Sequence, residues 1–323
     1  MKIGTRFPVL GNGYIELVAY MGDDSNVVKA ARQSTGKGFI GWEAYQRCDE
    51  CEVINWGPAQ LPDSLKQNCQ KHKMIPYPNG DMGLLDKLYR SGHTSPFEMG
   101  GEIIIEAYVP IMVVREWFRH RTWSFNEFSA RYAQMPCDHY LPEVTRIQKQ
   151  AQLNKQGSGD PYDEEFAEHV ITVMGEQQIE IYETYDAWCS AGMAKEIARL
   201  NTPVSRMTKF WGKVDLLNLL KFINLRVRPG AQYEIRQCAE ILGYKIVKEI
   251  WPRTWKLFEE YDLFCARFGK TELHILQAMM EHFSQNQTSV EGFVKTLELP
   301  GFSAVKKAEF VEKFVYANQR IIG

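Results

Sequence analysis

Three times along this chain a strand-like segment runs directly into a helical one, and a sequence built that way folds into neither a pure helix bundle nor a pure barrel. Residues 14–20 have strand composition, and Asp23, Asp24 and Ser25 offer caps for a helix through Val27, Val28, Ala30 and Ala31. Residues 102–108 lead to Pro110, whose missing donor costs nothing in a first helical turn, and Ile111, Val114, Trp117 and Phe118 then trace an apolar face. Residues 207–214 read as a third strand, with Asp215 suited to cap a helix over 216–225. A long helical pattern occupies 164–190, and a shorter one passes through Ala198, Arg199 and Leu200 before Asn201-Thr202-Pro203 ends it. Pro229-Gly230 breaks the chain again, 231–250 reads as helix, and Pro252 stops that run.

Three stretches fall outside this rhythm. Residues 44–83 are crowded with Pro, Gly, Asn and Gln and read as an irregular insertion, and 148–160 form a polar spacer. Residues 261–323 carry amphipathic patterns without a motif, so the chain divides into a main unit over 1–260 and a helical C-terminal appendage.

The densest chemistry lies at 119–132, Arg-His-Arg-Thr-Trp-Ser-Phe-Asn-Glu-Phe-Ser-Ala-Arg-Tyr. Four cations, an amide, a carboxylate and hydroxyls within so few residues suit an anionic small molecule, because the planar fork of arginine matches phosphate oxygens two bonds at a time. Arg115, Arg119 and His120 are expected from the helix after Pro110, and Arg121 onward from a loop. With a net charge of −2 over 323 residues the chain is not a coat for polyanions, so the cluster reads as a pocket. A single-stranded nucleic-acid module remains the rival, since Trp117, Trp123, Phe125 and Tyr132 interleave with the cations.

The order Arg-His-Arg-x-x-Ser-x-Asn-x-x-Ser-x-Arg resembles the signature of the flavin-dependent thymidylate synthases at all seven specified positions. Gly92-His93-x-Ser95-Pro96-Phe97-Glu98 resembles that family's second signature, and Asn224-Leu225-Arg226 and Ala231-Gln232-x-Glu234 fit further downstream. The resemblance spans roughly residues 10–260. It implies an α+β fold with an antiparallel sheet covered by long helices. The reaction implied is reductive C5 methylation of dUMP to dTMP, with carbon from methylenetetrahydrofolate and hydride from NADPH through FAD. It also implies a homotetramer whose active sites lie at subunit interfaces.

Carried onto this sequence, the family's dUMP contacts fall on Glu116, Arg119, Glu127, Ser129, Arg131, Arg199 and Arg226. Its FAD contacts fall on His93, Ser95, Arg119, His120, Arg121, Asn126, Glu127 and Lys221. Arg226 is expected to stabilise an electron-rich uracil and Ser129 to polarise it, with Arg131 and Arg199 at the phosphate. The chain departs from its relatives in carrying Glu116 where Gln is common before Trp-Phe-Arg-His-Arg, and Gly230 where His often precedes Ala-Gln. Asp215, Leu217 and Lys221 replace common Asn, Arg and Asn contacts. Glu116 is unfavourable beside a phosphate unless Arg115 or Arg119 pairs with it.

Other features complete the reading. Seven scattered cysteines point to reduced thiols, no apolar run approaches membrane-spanning length, and no basic-then-apolar leader opens the sequence, so a cytoplasmic protein is expected. Cys48, Cys51, Cys69 and His72 have zinc-like spacing, but no metal is expected there. Cys137, in Pro-Cys-Asp-His, marks the rival cysteine-dependent route to dTMP. Whether UMP replaces dUMP is left open by sequence.

Overall fold

The computed structural model describes residues 1–36, 38–42, 45–47, 54–56, 75–77, 80–151, 157–265 and 269–270. The expected zinc-like quartet and nearly all of 261–323 lie outside these residues. By its internal contacts the chain forms two units, Met1–Leu263 and Phe264–Gly323.

The first unit is organised around a five-stranded antiparallel sheet. In chain order its strands and their neighbours are β1 (Arg6–Val9), β2 (Gly13–Met21), α1 (Asp24–Arg32), three short strands β3 (Tyr45–Arg47), β4 (Ile54–Trp56) and β5 (Ile75–Tyr77), α2 (Gly80–Arg90), α3 (Ser95–Glu98), β6 (Glu102–Pro110), α4 (Ile111–Trp117) and β7 (Ser124–Glu127). A small hairpin, β8 (Gln148–Gln150) and β9 (Ser158–Pro161), precedes α5 (Glu164–Ser190), α6 (Lys195–Ala198), β10 (Met207–Asp215), α7 (Leu216–Arg226), α8 (Tyr233–Glu240), α9 (Lys248–Ile250) and α10 (Pro252–Phe258). The main sheet runs β1-β2-β6-β10-β7, while β4-β3-β5 form a separate sheet.

Alternation explains which face the helices cover. Ile15 and Leu17 of β2, Ile103, Ile105, Ala107 and Val109 of β6, and Phe210 and Val214 of β10 all point into one core. That core is completed by α1, α4, α7, α8 and α10, through residues such as Val27, Trp117, Phe222, Ile235 and Trp255. At the end of β2 and just before the start of β6 the backbones touch: a Cβ on Gly101, at φ +145, would collide with the Met21 carbonyl oxygen.

Several expectations need correction. Pro110 is the last residue of β6 and the cap position of α4, with extended ψ of 146, and is not in the helix's first turn. Ser124–Glu127, expected as loop, pairs with β10 as an edge strand. The polar spacer contains the β8–β9 hairpin, and the insertion carries three strands and the start of α2. The run over 231–250 is helical from Tyr233 but changes winding, with a π-helical stretch at Ile241–Val247 between α8 and α9. There Gly243 leaves room for Trp255, whose ring would stand 2.8 Å from an added Cβ.

Candidate active site

α4 is short and its end matters more than its length. Trp117 is fully buried against Trp123, Phe210 and Phe222, which fixes the helix on the core. The chain then leaves the helix in a turn, with Arg119 N donating to the Glu116 carbonyl at 3.3 Å and His120 N to that of Trp117 at 3.0 Å. Arg119 and His120 therefore lie beyond α4, so the expected shared helical face with Arg115 is not formed.

The last turn of α7 supplies what this helix end lacks. Arg226 Nη2 donates to the Glu116 carbonyl at 3.0 Å, Nη1 to Glu116 Oε2 at 2.8 Å, and Nε to His120 Nε2 at 3.1 Å. A guanidinium thus caps orphan carbonyl density at the C-terminus of a neighbouring helix rather than of its own. Glu116 pairs with Arg226, and among the described residues neither Arg115 nor Arg119 is its partner. The pair is half-buried, with side-chain exposures of 15% for Arg226 and 25% for Glu116.

The electrostatics of this trio follow from burial. His120 is pushed down to about 4 by desolvation first and by the Arg226 charge second. It is neutral at physiological pH, and since it accepts at Nε2 its proton resides on Nδ1. Burial pushes the Glu116 carboxyl above its ordinary range; Arg226 pulls it down, and Glu234 on α8 adds to the rise. Glu234 is buried, accepting from Tyr140 Oη at 3.2 Å and Gln232 Nε2 at 2.8 Å. Gln232 is spent on this bond and does not cap its helix.

The second half of the signature belongs to a different surface. Phe128 N donates to the Lys209 carbonyl at 2.8 Å, and the chain turns so that Ala130 and Met135 pack with Tyr185 of α5 and Ala198 of α6 in a small satellite core. Arg131 Nε meets Glu196 Oε2 of α6 at 3.0 Å, both well exposed, and Ser129 Oγ accepts weakly from Arg131 N at 3.4 Å. Glu127 accepts from Thr208 Oγ1 at 2.8 Å. Arg206, half-buried near Glu127 and Arg199, is pushed below the usual guanidinium value chiefly by desolvation, and its Nε has no partner among the described residues. Thr208, Glu196 and Arg206 carried no signal in the sequence, because each acts only through a partner distant in the chain.

The remaining expected contacts are exposed. Arg119, Arg121, Asn126 and Lys221 face outward, and among the described residues no carboxylate pairs with Arg119, Arg121 or Lys221. His93 and Ser95 are exposed around the start of α3, with His93 Nδ1 2.8 Å from Ser91 Oγ. Within one chain no hydrogen bond among the described residues links the Glu116–His120–Arg226 trio to the Ser129–Arg131 surface. Asp215 is explained structurally, as the cap of α7 accepting from Asn218 N at 3.0 Å, and Leu217 packs against the main core.

The rival readings lose their support here. Trp117 and Trp123 are buried, leaving only Tyr132, 80% exposed, as an open stacking surface from the proposed aromatic series. Cys137 is exposed, but its thiol is pushed up by partial desolvation and then by Asp138, Glu183 and Asp186, the reverse of what a nucleophilic thiolate needs.

Comparison with known proteins places this geometry. Residues 16–253 match the family described as thymidylate synthase complementing protein. A flavin-dependent thymidylate synthase from Thermus thermophilus is 36% identical over 309 residues, 95% of this chain and 94% of its own. Another, from Wolbachia pipientis wMel, is 36% identical over 273 residues, 84% of this chain and 83% of its own. A crystal structure of the UMP/dUMP methylase PolB from Streptomyces cacaoi, bound with 5-Br UMP, is similar with a TM-score of 0.60 and 26% identity, covering 79% of this chain and 96% of that one.

Proposed function

The chain belongs to the flavin-dependent thymidylate synthases, and from that premise we propose that Arg226 and Ser129 carry the C5 methylation of dUMP while the signature cations hold the cofactor and substrate phosphates. The reaction converts dUMP, methylenetetrahydrofolate, NADPH and a proton to dTMP, tetrahydrofolate and NADP+. Bound FAD, once reduced by NADPH, would supply the hydride.

The observation that carries the assignment of roles is the fixed guanidinium of Arg226, held by the Glu116 side chain, the Glu116 carbonyl and His120. A cation immobilised at a half-buried point stabilises negative charge growing on a pyrimidine ring without reorganising, and it exchanges no proton in doing so. Ser129 donates a hydrogen bond to the base; no general base is assigned to it. Arg131 and Arg199 provide donors for the phosphate. The surface ion pair of Arg131 with Glu196 is worth about 0–1 kcal/mol and yields readily to a dianion.

The donor set at the other end fits FAD. Arg119, Arg121 and Lys221 are exposed cations suited to a diphosphate, and neutral His120, with His93, Ser95, Asn126 and Glu127, adds donors and acceptors for ring and ribose.

The separation of these two surfaces within one chain supports sites completed by another copy. α5 and the segment after it expose Phe166, Ile179, Trp188, Ile197 and Leu200, an apolar series suited to contact with another copy. We assign this surface to a homotetramer with shared active sites. A cytoplasmic setting goes with the free thiols of Cys137, Cys189 and Cys238.

The test is tritium release from C5-labelled dUMP, with methylenetetrahydrofolate and NADPH, in protein stripped of flavin and then reconstituted with FAD. FAD-dependent release is expected. Release without flavin would overturn the reading, and a parallel assay with UMP decides which ribose the pocket prefers.

A further inference from the structure

Glu116 is the one member of the trio whose charge runs against the expected chemistry, since a carboxylate beside the activating guanidinium competes with any anion that Arg226 is meant to stabilise. Its geometry gives that charge a use. Oε2 is bound to Arg226, whereas Oε1 has no hydrogen-bond partner among the described residues, and the side chain is partly open to a ligand. Each Nη of Arg226 retains a second N–H beyond the bond it makes within the trio. The pair therefore presents a donor beside an acceptor. A uracil edge offers the complement, a carbonyl oxygen beside N3–H, whereas cytosine has a lone pair at N3.

We propose that Glu116 receives the N3 proton of the uracil. This rests on the placement of Arg226 against the pyrimidine given above. In the step, the N3–H bond breaks and an O–H bond forms at Oε1. The electron pair left on N3 spreads to the ring carbonyl oxygens, where Arg226 donates, and C5 becomes richer in electrons. Arg226 faces one anion throughout, first the carboxylate and then the pyrimidinate.

The surroundings favour the exchange. Arg226 faces Glu116 from α7, Glu234 from α8, and His120, neutral, from the turn after α4. Two anions beside one half-buried cation are disfavoured, so the second forms as the first is neutralised. Desolvation and Glu234 make Glu116 more basic than a surface carboxylate, which lessens the uphill transfer from N3.

The experiment compares FAD-loaded wild type, Glu116→Gln and Arg226→Lys. It measures binding of dUMP and of N3-methyl-dUMP by calorimetry, and C5 tritium release from about pH 5 to pH 9. Wild type is expected to prefer dUMP over the N3-methyl analogue by about tenfold or more, and to lose kcat/KM on the acid side as Glu116 protonates. In Glu116→Gln, which restores the residue common among relatives and cannot accept the proton, that acid limb disappears while dUMP still binds. A Glu116→Gln enzyme that keeps the acid limb overturns the proposal. Glu116→Gln is isosteric and preserves a neutral acceptor, so retained dUMP binding certifies its fold. If Arg226→Lys keeps full kcat, the underlying reading of Arg226 fails instead, whatever Glu116 does.

Discussion

Arg226 contributes geometry as well as charge, and a lysine at the same position supplies only the charge. The three bonds from Nε, Nη1 and Nη2 need a planar fork. Arg226→Lys is therefore expected to lower kcat by roughly 10²–10³-fold, the cost typical of losing one preorganised electrostatic donor, with dUMP binding less affected. Ser129→Ala removes a single neutral donor and should cost about tenfold. Cys137→Ala should leave turnover unchanged, because that thiol is raised by burial and its carboxylate neighbours and touches none of the site; loss of activity in steady-state assays would reopen the cysteine route. At this scale the sequence was informative about residue types and silent about partners. The family resemblance pointed to Arg226 and Glu116 separately, outside the signature itself, but they are 110 positions apart, and only the packing of α4 against α8 and α7 shows that they pair.

Elements were legible where side-chain periodicity is long and caps are explicit. α5 begins after Asp163, whose carboxylate accepts from Phe166 N at 2.9 Å, and it extends to Ser190 as its pattern indicates. β7 was not legible, since Ser-Phe-Asn-Glu has one apolar residue and its partner strand β10 lies far ahead in the chain. Other long-range caps are equally hidden. Asp24, in the first turn of α1, is buried and accepts from Arg253 N at 2.8 Å, Thr254 N at 2.9 Å and Thr254 Oγ1 at 2.7 Å, so it caps α10 across more than two hundred residues. Asp24→Ala would leave two backbone donors unmet and should cost about 2–4 kcal/mol by urea unfolding. Burial raises the Asp24 carboxyl, so the fold favours its protonated form. That contribution is complete below the ordinary aspartate value and is lost as pH rises through the raised one. At neutral pH Asp24→Asn should accordingly destabilise less than Asp24→Ala, and equal losses would show that the carboxylate charge itself is needed.

Within the single chain the Glu116–His120–Arg226 trio lies against the main core, and the Ser129–Arg131 surface lies against the satellite core of α5 and α6. Among the described residues no helix is long and apolar enough to cross a membrane. The exposed apolar residues of α5 and its successor suit contact with another protein chain. If the trio of one copy faces the Ser129–Arg131 surface of another, variants broken on opposite sides complement each other. Arg226→Ala and Arg131→Ala, each inactive alone, should form some intact sites when co-expressed or unfolded and reassembled together. Random pairing of equal amounts puts both wild-type halves at roughly a quarter of the sites, so activity should recover to about a quarter of wild type. Ile179→Glu, which charges the exposed apolar series on α5 without replacing or adjoining a residue of either half, should lower the mass seen by light scattering and abolish the recovery with it. A mixture that stays inactive while still assembling as mixed oligomers would place the whole site within one chain.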